Sequence, residues 1–531
     1  MVAHWMHFGD IEGRLRRKNM KQNKLYGMYE KYRNKIIAVA VVLLLMGIVS
    51  AASGIFSRTS DKSTRQTDSS DINNISNDPT TNMEAEKASS DAGMNIHSRP
   101  GRALDVENSE AQDTDAVTDK DNTPPGNPLD FADQELANCV IKQAGFKESA
   151  QPTDQLCASI LELDTTGHTL TTLEDLAYFT NLEKLTVNNQ GNGLNLKGIN
   201  KATSLKSLTL CNCQLSEVDR IAELTDLEYL DLSSSRETYV QDYSSLAALT
   251  NLKSLNLRWD GYNAYNPYHL VDGSFINHLN ALEELDIYET GIENYSLEGL
   301  SNLKRLTISE CDMDNILGQL EISGALEKLE YLNTKTGSGS NNVMTYLTDD
   351  GMRTLLSKAV SLQELRGFNI NNLTTLEGIE QLKALKQLEL DNYLAFSLPL
   401  SEYSRLSGLI GLEELRLTGE ANMAEPENHP DDFQFLSGLA ALKRLEVRVY
   451  KGMSISCFAD LTNLEILNLI GNVQYPIDVD IADISKLTSL KQLNYSGVRF
   501  KSSAPLDDLT ELKVQGFGLG GCPSLFEIEV A

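Results

Sequence analysis

Leucines recur along this 531-residue chain in one order of spacings, and that order constrains the fold more than any other feature. Intervals of three are followed by one interval of two, as in Leu224, Leu227, Leu230, Leu232; Leu249, Leu252, Leu255, Leu257; Leu300, Leu303, Leu306, Ile308; Leu382, Leu385, Leu388, Leu390; and Leu461, Leu464, Leu467, Leu469. An interval of three matches a tight helical or 3-10 turn, and an interval of two matches a strand whose alternate side chains face one way. Each unit is therefore predicted to be one turn plus one short strand. The opening leucines are Leu182, Leu205, Leu227, Leu252, Leu282, Leu303, Leu329, Leu362, Leu385, Leu412, Leu442, Leu464, Leu490 and Leu512, with steps of 22 or 23 recurring among longer ones. A set of amphipathic helices is excluded, because no unit sustains helical periodicity for more than about three turns.

Units this small bury nothing alone, so they must stack, strand beside strand and turn beside turn. The period and spacing resemble the leucine-rich repeat. That resemblance implies an α/β solenoid over residues 161–515, with a curved parallel sheet on the concave face and short helical or 3-10 turns on the convex face. The family places Asn or Cys three residues after the strand leucines. Here the position holds Cys213, Ser235, Thr290, Cys311 and Asn472, but also Glu420 and Tyr450, so an irregular solenoid with outward loops is expected. Residues 516–531 are read as a C-terminal cap or tail.

Ahead of the repeats, Phe131 to Ala144 reads as an amphipathic helix with Asp130 as N-cap and Gly145 as its stop, and Thr153-Asp154-Gln155-Leu156 opens a second short helix. Residues 131–160 would cover the open end of the first repeat. From Phe131-Ala132-Asp133-Gln134-Glu135-Leu136 through Ile160-Leu161-Glu162-Leu163 to Leu173-Glu174-Asp175-Leu176-Ala177-Tyr178-Phe179-Thr180-Asn181-Leu182, the chain resembles the cap and first repeat of internalin-like surface proteins of Gram-positive bacteria. Two departures matter: Leu398-Pro399-Leu400-Ser401 is internal and is no LPxTG sorting signal, and no immunoglobulin-like module follows the repeats. Anchoring is then expected at the N-terminus, and adhesion to host cells is not carried over.

Ile36 to Phe56 contains no charged residue, and an apolar run of this length just spans a lipid core as helix. Arg14, Arg16, Arg17, Lys18, Lys21, Lys24, Lys31, Arg33 and Lys35 precede it, while only Arg58, Lys62 and Arg65 follow closely. The positive-inside bias makes residues 1–35 a cytoplasmic segment, 36–56 a single-pass signal anchor in the cell membrane, and everything beyond extracellular. The competing reading is secretion after cleavage near Ala51, where Val49-Ser50-Ala51 has the small-residue spacing of a signal peptide. Residues 57–130 are rich in Ser, Thr, Asp and Asn and too poor in large apolar side chains to offset ordering entropy, which predicts a disordered polar stalk ending at Thr123-Pro124-Pro125-Gly126-Asn127-Pro128.

Of 46 basic and 75 acidic side chains, nine and three lie in the first 35 residues, which leaves 37 against 72 beyond them. Phosphate binding rests on clustered Lys and Arg, so nucleic acid is an unsuitable partner for an exterior this acidic. None of His4, His7, His97, His168, His269, His278 and His429 sits in HExxH or beside a Cys at metal spacing. Gly516-Phe517-Gly518-Leu519-Gly520-Gly521 satisfies GxGxxG formally but lacks the following helix and strand, and Asp478, Asp480 and Asp483 lack the glycine and distal Glu of a calcium loop. No catalytic residue, metal or cofactor is expected. Cys213 and Cys311 read as buried repeat positions; Cys139 and Cys157, both in the cap, are candidates for a disulfide, the alternative being two buried thiols.

A ligand would meet residues between and just after the strand leucines, among them Tyr229, Asp231, Asn256, Arg258, Asp286, Tyr288, Thr307, Ser309, Glu389, Asp391, Arg416 and Arg448. Beside them the insertion around Trp259, Tyr262, Tyr265 and Tyr268 gathers four aromatics, the side chains that supply most interface hot spots; local packing of a long loop is the alternative. The candidate site is this loop with Tyr239, Tyr243, Asp231, Asp286 and Tyr288. The function expected is non-catalytic recognition or adhesion through a protein or glycan ligand. The alternatives are a structural cell-envelope protein and a scaffold presenting substrate to an enzyme.

Overall fold

The chain separates into two units, Met1–Gln112 and Asp113–Ala531. The computed structural model describes residues 123–517 of the second, apart from residues 191, 234–242, 259–270, 289, 291, 310, 335–346, 371, 392–397, 419–431, 473–475, 481, 483, 501–508 and 510. The expected cytoplasmic segment, the apolar segment 36–56 and nearly all of the stalk lie outside the described residues. Among the described residues no helix is long and apolar enough to cross a membrane.

Fifteen parallel strands form one sheet in strict chain order. They are β1 Glu162–Asp164, β2 Lys184–Asn188, β3 Ser207–Cys211, β4 Tyr229–Asp231, β5 Ser254–Asn256, β6 Glu284–Ile287, β7 Arg305–Ile308 and β8 Tyr331–Asn333. The series continues with β9 Glu364–Asn369, β10 Gln387–Asp391, β11 Glu414–Thr418, β12 Arg444–Arg448, β13 Ile466–Ile470, β14 Gln492–Ser496 and β15 Lys513–Phe517. Every one of the fourteen marker leucines stands one or two residues ahead of a strand, β2 to β15, and β1 adds one more strand ahead of them. The register carries a single leucine row across the sheet, Leu163 beside Leu185, Leu208, Leu230, Leu255, Leu285, Leu306, Leu332, Leu365, Leu388, Leu415, Leu445, Leu467 and Leu493. All are buried, and each contributes about 1.5–3 kcal/mol by leaving water.

The spacing of three is the spacing of the hydrogen bonds themselves. Leu224 N donates to Ile221 O and Leu227 N to Leu224 O, both at 3.0 Å, and Leu249 N and Leu252 N repeat the pattern on Leu246 O and Leu249 O at 3.0 Å. Each such i to i−3 bond tightens the backbone into a 3-10 turn and turns both leucines inward. Two units depart from this, carrying α-helices α3 Met313–Ser323 and α4 Asp349–Lys358 on the convex side. Packed α-helices lie about 8–10 Å apart and paired strands about 4.8 Å, which places the sheet on the inside of the curve. Opposite α4 the sheet bulges, the register shifting between Leu365 and Phe368 around Gly367 at φ +60°.

The sheet's first edge is closed by two helices that precede it in the chain, α1 Gln134–Gln143 and α2 Asp154–Ser159. The N-cap of α1 is Asp133, one turn later than the Asp130 expected from sequence, because Asp133 serves the first repeat as well as the helix. Its carboxylate accepts from Leu136 N at 3.0 Å, from Thr171 N at 2.6 Å and from Thr171 Oγ1 at 2.9 Å, while its own N–H donates to Asp175 at 2.9 Å. The second helix is capped by Thr153, as expected. The Gln143 amide imitates a neighbouring strand, donating to Glu162 O at 2.7 Å and accepting from Asp164 N at 3.3 Å. An edge that would invite pairing with another chain is thereby satisfied. The Thr123–Pro128 stretch joins this layer: Pro128 pairs with Thr153, and Asn127 donates backbone and side-chain N–H to Asp154 at 2.8 Å.

Just before each strand lies a row that no spacing argument revealed. Backbone hydrogen bonds link Glu183, Lys206, Glu228, Lys253, Glu283, Lys304, Glu330, Gln363, Lys386, Glu413, Lys443, Glu465, Lys491 and Lys513 in order, each N–H donating to the carbonyl one repeat earlier. Charge alternates from Glu183 to Glu330 and again from Lys386 to Lys491. Ion pairs join Lys206 to Glu183 at 3.3 Å, Lys253 to Glu228 at 2.7 Å, Lys304 to Glu283 at 2.7 Å, Lys443 to Glu413 at 2.7 Å and Lys491 to Glu465 at 3.0 Å. At position 363 either sign would meet a like charge, on Glu330 or on Lys386, and the residue there is the neutral Gln.

Two expected outcomes test these contacts. Burial pushes the Asp133 carboxyl up, but its hydrogen bonds from Thr171, Leu136 and Thr172 outweigh this and hold it below the usual range. A carboxyl depressed on folding stabilises above its unfolded value, near 3.9, and loses that contribution as pH falls through its folded value. Asp133→Asn should cost about 1–3 kcal/mol at neutral pH, and the gap from wild type should narrow in urea unfolding as pH falls below the unfolded value of about 3.9. Lys253→Glu, which sets three carboxylates in line, should lower the thermal midpoint more than Lys253→Ala, with the difference shrinking in high salt.

Candidate concave recognition strip

Because side chains alternate along a strand, residues flanking the buried leucine row point to the concave face. One concave row therefore runs Asp164, Thr186, Thr209, Asp231, Asn256, Asp286, Thr307, Asn333, and a second runs Tyr229, Ser254, Glu284, Arg305, Tyr331. Strand spacing puts Tyr229 and Tyr331 about 19 Å apart, on β4 and β8.

Between them the side chains hold one another. Tyr229 donates its hydroxyl to Asp231 at 3.3 Å, Asn256 donates to the same carboxylate at 3.1 Å, and Ser233 N adds a third bond at 2.8 Å. Burial and the Asp231 charge push the Tyr229 phenol above its ordinary value. The Arg258 guanidinium lies 4.6 Å from the Tyr288 ring centre and 3.9 Å from Asp286. Arg305 lies 4.1 Å over the Tyr331 ring and 3.6 Å from Glu284, while Asn333 donates to the Tyr331 hydroxyl at 3.2 Å.

Farther along, the concave side chains close into a ladder. Arg416 bridges Glu389 at 3.1 Å and Glu446 at 2.7 Å; Asn468 donates to Glu446 at 2.9 Å, Asn494 to Asn468 at 2.7 Å and Gln492 to Asn494 at 3.1 Å. Arg366 pairs with Glu364 at 3.0 Å and donates to Gln387. The strip from β4 to β8 holds the tyrosines Tyr229, Tyr288 and Tyr331; the stretch from β10 to β14 is mainly cross-linked polar floor, with Arg448 at the end of β12 lying 5.5 Å over the Tyr450 ring.

The strip gathers Asp231, Asp286 and Tyr288 of the expected site, with Tyr288 only 8% exposed beneath Arg258. Tyr243 is not among them. It packs in the turn layer, 6.0 Å from Phe275, and burial pushes its phenol up to about 12, so the grouping with Tyr288 is corrected by the turn that precedes its own strand. Tyr239, Trp259, Tyr262, Tyr265 and Tyr268 lie outside the described residues. Tyr331, Arg305 and Glu446 were missed, although each occupies a position flanking a strand leucine and the same spacing rule finds them.

Among the described residues Cys139, Cys157, Cys213 and Cys457 are buried thiols, and Cys211 and Cys311 are half-buried. Cys139 and Cys157, the disulfide candidates, are both free: Cys139 donates to Asp164 O at 3.2 Å, and burial pushes the two thiols up to about 11 and about 12. Among the described residues no group of three or more His, Cys, Asp or Glu side chains is placed to hold a metal.

No family model matches the sequence, and no curated protein matches it. Among solved structures, the chain is similar to an internalin (inlF) from Listeria monocytogenes, at 20% identity and TM-score 0.44, over 73% of this chain and 96% of that one. It is also similar to a leucine-rich-repeat protein of Leptospira interrogans, at 21% identity and TM-score 0.41, over 69% and 86%. A third is the functional domain of InlJ from Listeria monocytogenes, described as including a cysteine ladder, at 16% identity and TM-score 0.43, over 71% and 77%. What decides the architecture is this chain's own register, fifteen parallel strands aligned on one row of fourteen leucines that ends in Val514. The fold is a leucine-rich-repeat solenoid. In such a solenoid a ligand meets side chains held by flat, rigid strands, so groups on the strip are positioned before anything binds.

Arg416→Ala should lower stability by about 1–3 kcal/mol in denaturant unfolding, because Glu389, 8% exposed, loses its guanidinium.

Proposed function

We propose that this protein is a membrane-tethered, extracytoplasmic recognition protein that binds a protein or glycan on the concave strip between β4 and β8 and performs no chemistry of its own. The observation that carries the reading is the contrast along one sheet. From β10 onward most concave polar groups lock onto one another through Arg416, Glu446, Asn468 and Asn494, whereas the strip from Tyr229 to Tyr331, beside its own internal contacts, carries the half-buried side chains of Tyr229, Arg258, Arg305 and Tyr331, residue types that dominate interface energetics. Tethering is supported by the uncharged Ile36–Phe56 run behind nine basic residues, and a stalk by the polar composition of 57–122. Among the described residues the interior of the repeats is filled by buried leucines, which supports a role for the outer face of the sheet in binding.

Protease shaving of intact cells, followed by mass spectrometry of released and retained fractions, tests the topology. Peptides from the repeats should be released while the segment containing Ile36–Phe56 stays with the membrane; repeats protected until lysis would overturn an extracytoplasmic placement. For the strip, partners captured by crosslinking to the full chain should bind the Tyr229→Ala, Tyr331→Ala double variant at least about thirtyfold more weakly, as loss of a hot spot of about 2 kcal/mol requires. Unchanged binding would exclude the strip.

A further inference from the structure

Resting on that reading of the concave strip, we propose that Arg305 is its anchor for a carboxylate of a protein partner, an Asp or Glu side chain received on the guanidinium that Tyr331 holds flat. Two arginines of the sheet, Arg416 and Arg366, show what a satisfied guanidinium looks like here. Arg416 is clamped between two carboxylates at 2.7 and 3.1 Å, and Arg366 joins Glu364 at 3.0 Å and the Gln387 amide. Arg305 differs: among the described residues its guanidinium donates no hydrogen bond, and its nearest carboxylate, Glu284, stands 3.6 Å away. Glu284 is itself bonded by Ser254 Oγ at 3.4 Å. What positions Arg305 is the Tyr331 ring at 4.1 Å, and that ring is fixed by Asn333 on its hydroxyl.

A half-buried, stacked guanidinium with unused donors has lost rotamer freedom without gaining partners, so its fork is ready for a planar carboxylate, the geometry it matches best. The ring faces argue for a protein rather than a glycan. Arg305 covers a face of Tyr331, Arg258 covers a face of Tyr288, and Tyr288 is buried, so the two tyrosines nearest Arg305 offer a sugar no pair of open ring faces. The surrounding carboxylates Asp231, Glu284 and Asp286 make the strip mixed in sign, which suits a protein surface carrying both an acidic and a basic side chain.

The test uses the full chain labelled with nitrogen-15 at arginine and titrated with sodium acetate against sodium chloride at matched ionic strength. Arg444 is the control, an exposed guanidinium 3.9 Å from Glu414. The Arg305 Nε–H resonance should shift and saturate at least about tenfold earlier than that of Arg444, as expected for a charge-assisted pair with a preorganised donor, and Tyr331→Leu should abolish the difference. Equal responses of Arg305 and Arg444 would overturn the anchor. Tighter saturation with glucuronate than with acetate would overturn the assignment to a protein partner in favour of an acidic sugar. Either failure leaves the concave reading standing, because that reading is judged by partner binding to the tyrosine variants and not by carboxylate affinity at Arg305.

Discussion

Everything in this protein depends on a repeat being unable to bury its own leucines. Each unit contributes one strand and one turn, and its leucines are enclosed only when the units before and after it are in place. The leucine row from Leu163 to Leu493 is therefore both the core and the reason that the sheet runs in strict chain order. The i to i−3 bonds of the turns and the parallel register of the strands are two expressions of the same spacing, and neither is satisfied without the other.

A row built this way has a weakness, since every repeat offers nearly the same surface to its neighbour and a slipped stack would bury leucines equally well. The alternating Glu and Lys row before the strands supplies the missing discrimination: Lys206, Lys253, Lys304 and Lys443 each find Glu on both sides, and skipping one repeat there would set like charges together. Gln363 sits where the alternation changes phase, beside the bulge at Gly367 and the α-helical units, so irregularities of charge, strand and turn coincide in one part of the solenoid. The ends are handled separately, with Gln143 and Asp133 finishing the first strand and tying the helical cap to Thr171.

The same rigidity shapes the recognition strip. Side chains on neighbouring strands repeat at about 4.8 Å, so a tyrosine, a carboxylate and a guanidinium placed in successive repeats become a fixed pattern with little further ordering to do on binding. Where that pattern is closed on itself, as in the Glu389 to Asn494 ladder, it stiffens the sheet. Between Tyr229 and Tyr331 the pattern is looser, and Arg305 stands there stacked on Tyr331 with Glu284 3.6 Å away.

Much of this was legible in the sequence, because the periods of a turn and a strand are local and survive as leucine spacings. All fourteen marker leucines stand one or two residues ahead of strands, the 3-10 turns fall where intervals of three occur, and Asp231, Asp286 and Tyr288 line the concave side as the strand alternation requires. What spacing does not encode is who stands next to whom one repeat away, since the number of residues per repeat varies with each loop. Only stacking shows that Arg305 lies on Tyr331, that Lys253 lies between Glu228 and Glu283, and that Tyr243 belongs to the turn layer against Phe275. The choice of Asp133 over Asp130 as helix cap has the same origin: both precede the helix, but only Asp133 reaches Thr171, thirty-eight residues away in the chain and adjacent in the fold. The sequence by itself determined the repeating unit, because that unit is set by short-range hydrogen bonding and hydrophobic period; the tertiary structure decided the site, because a site here is made of contacts between repeats.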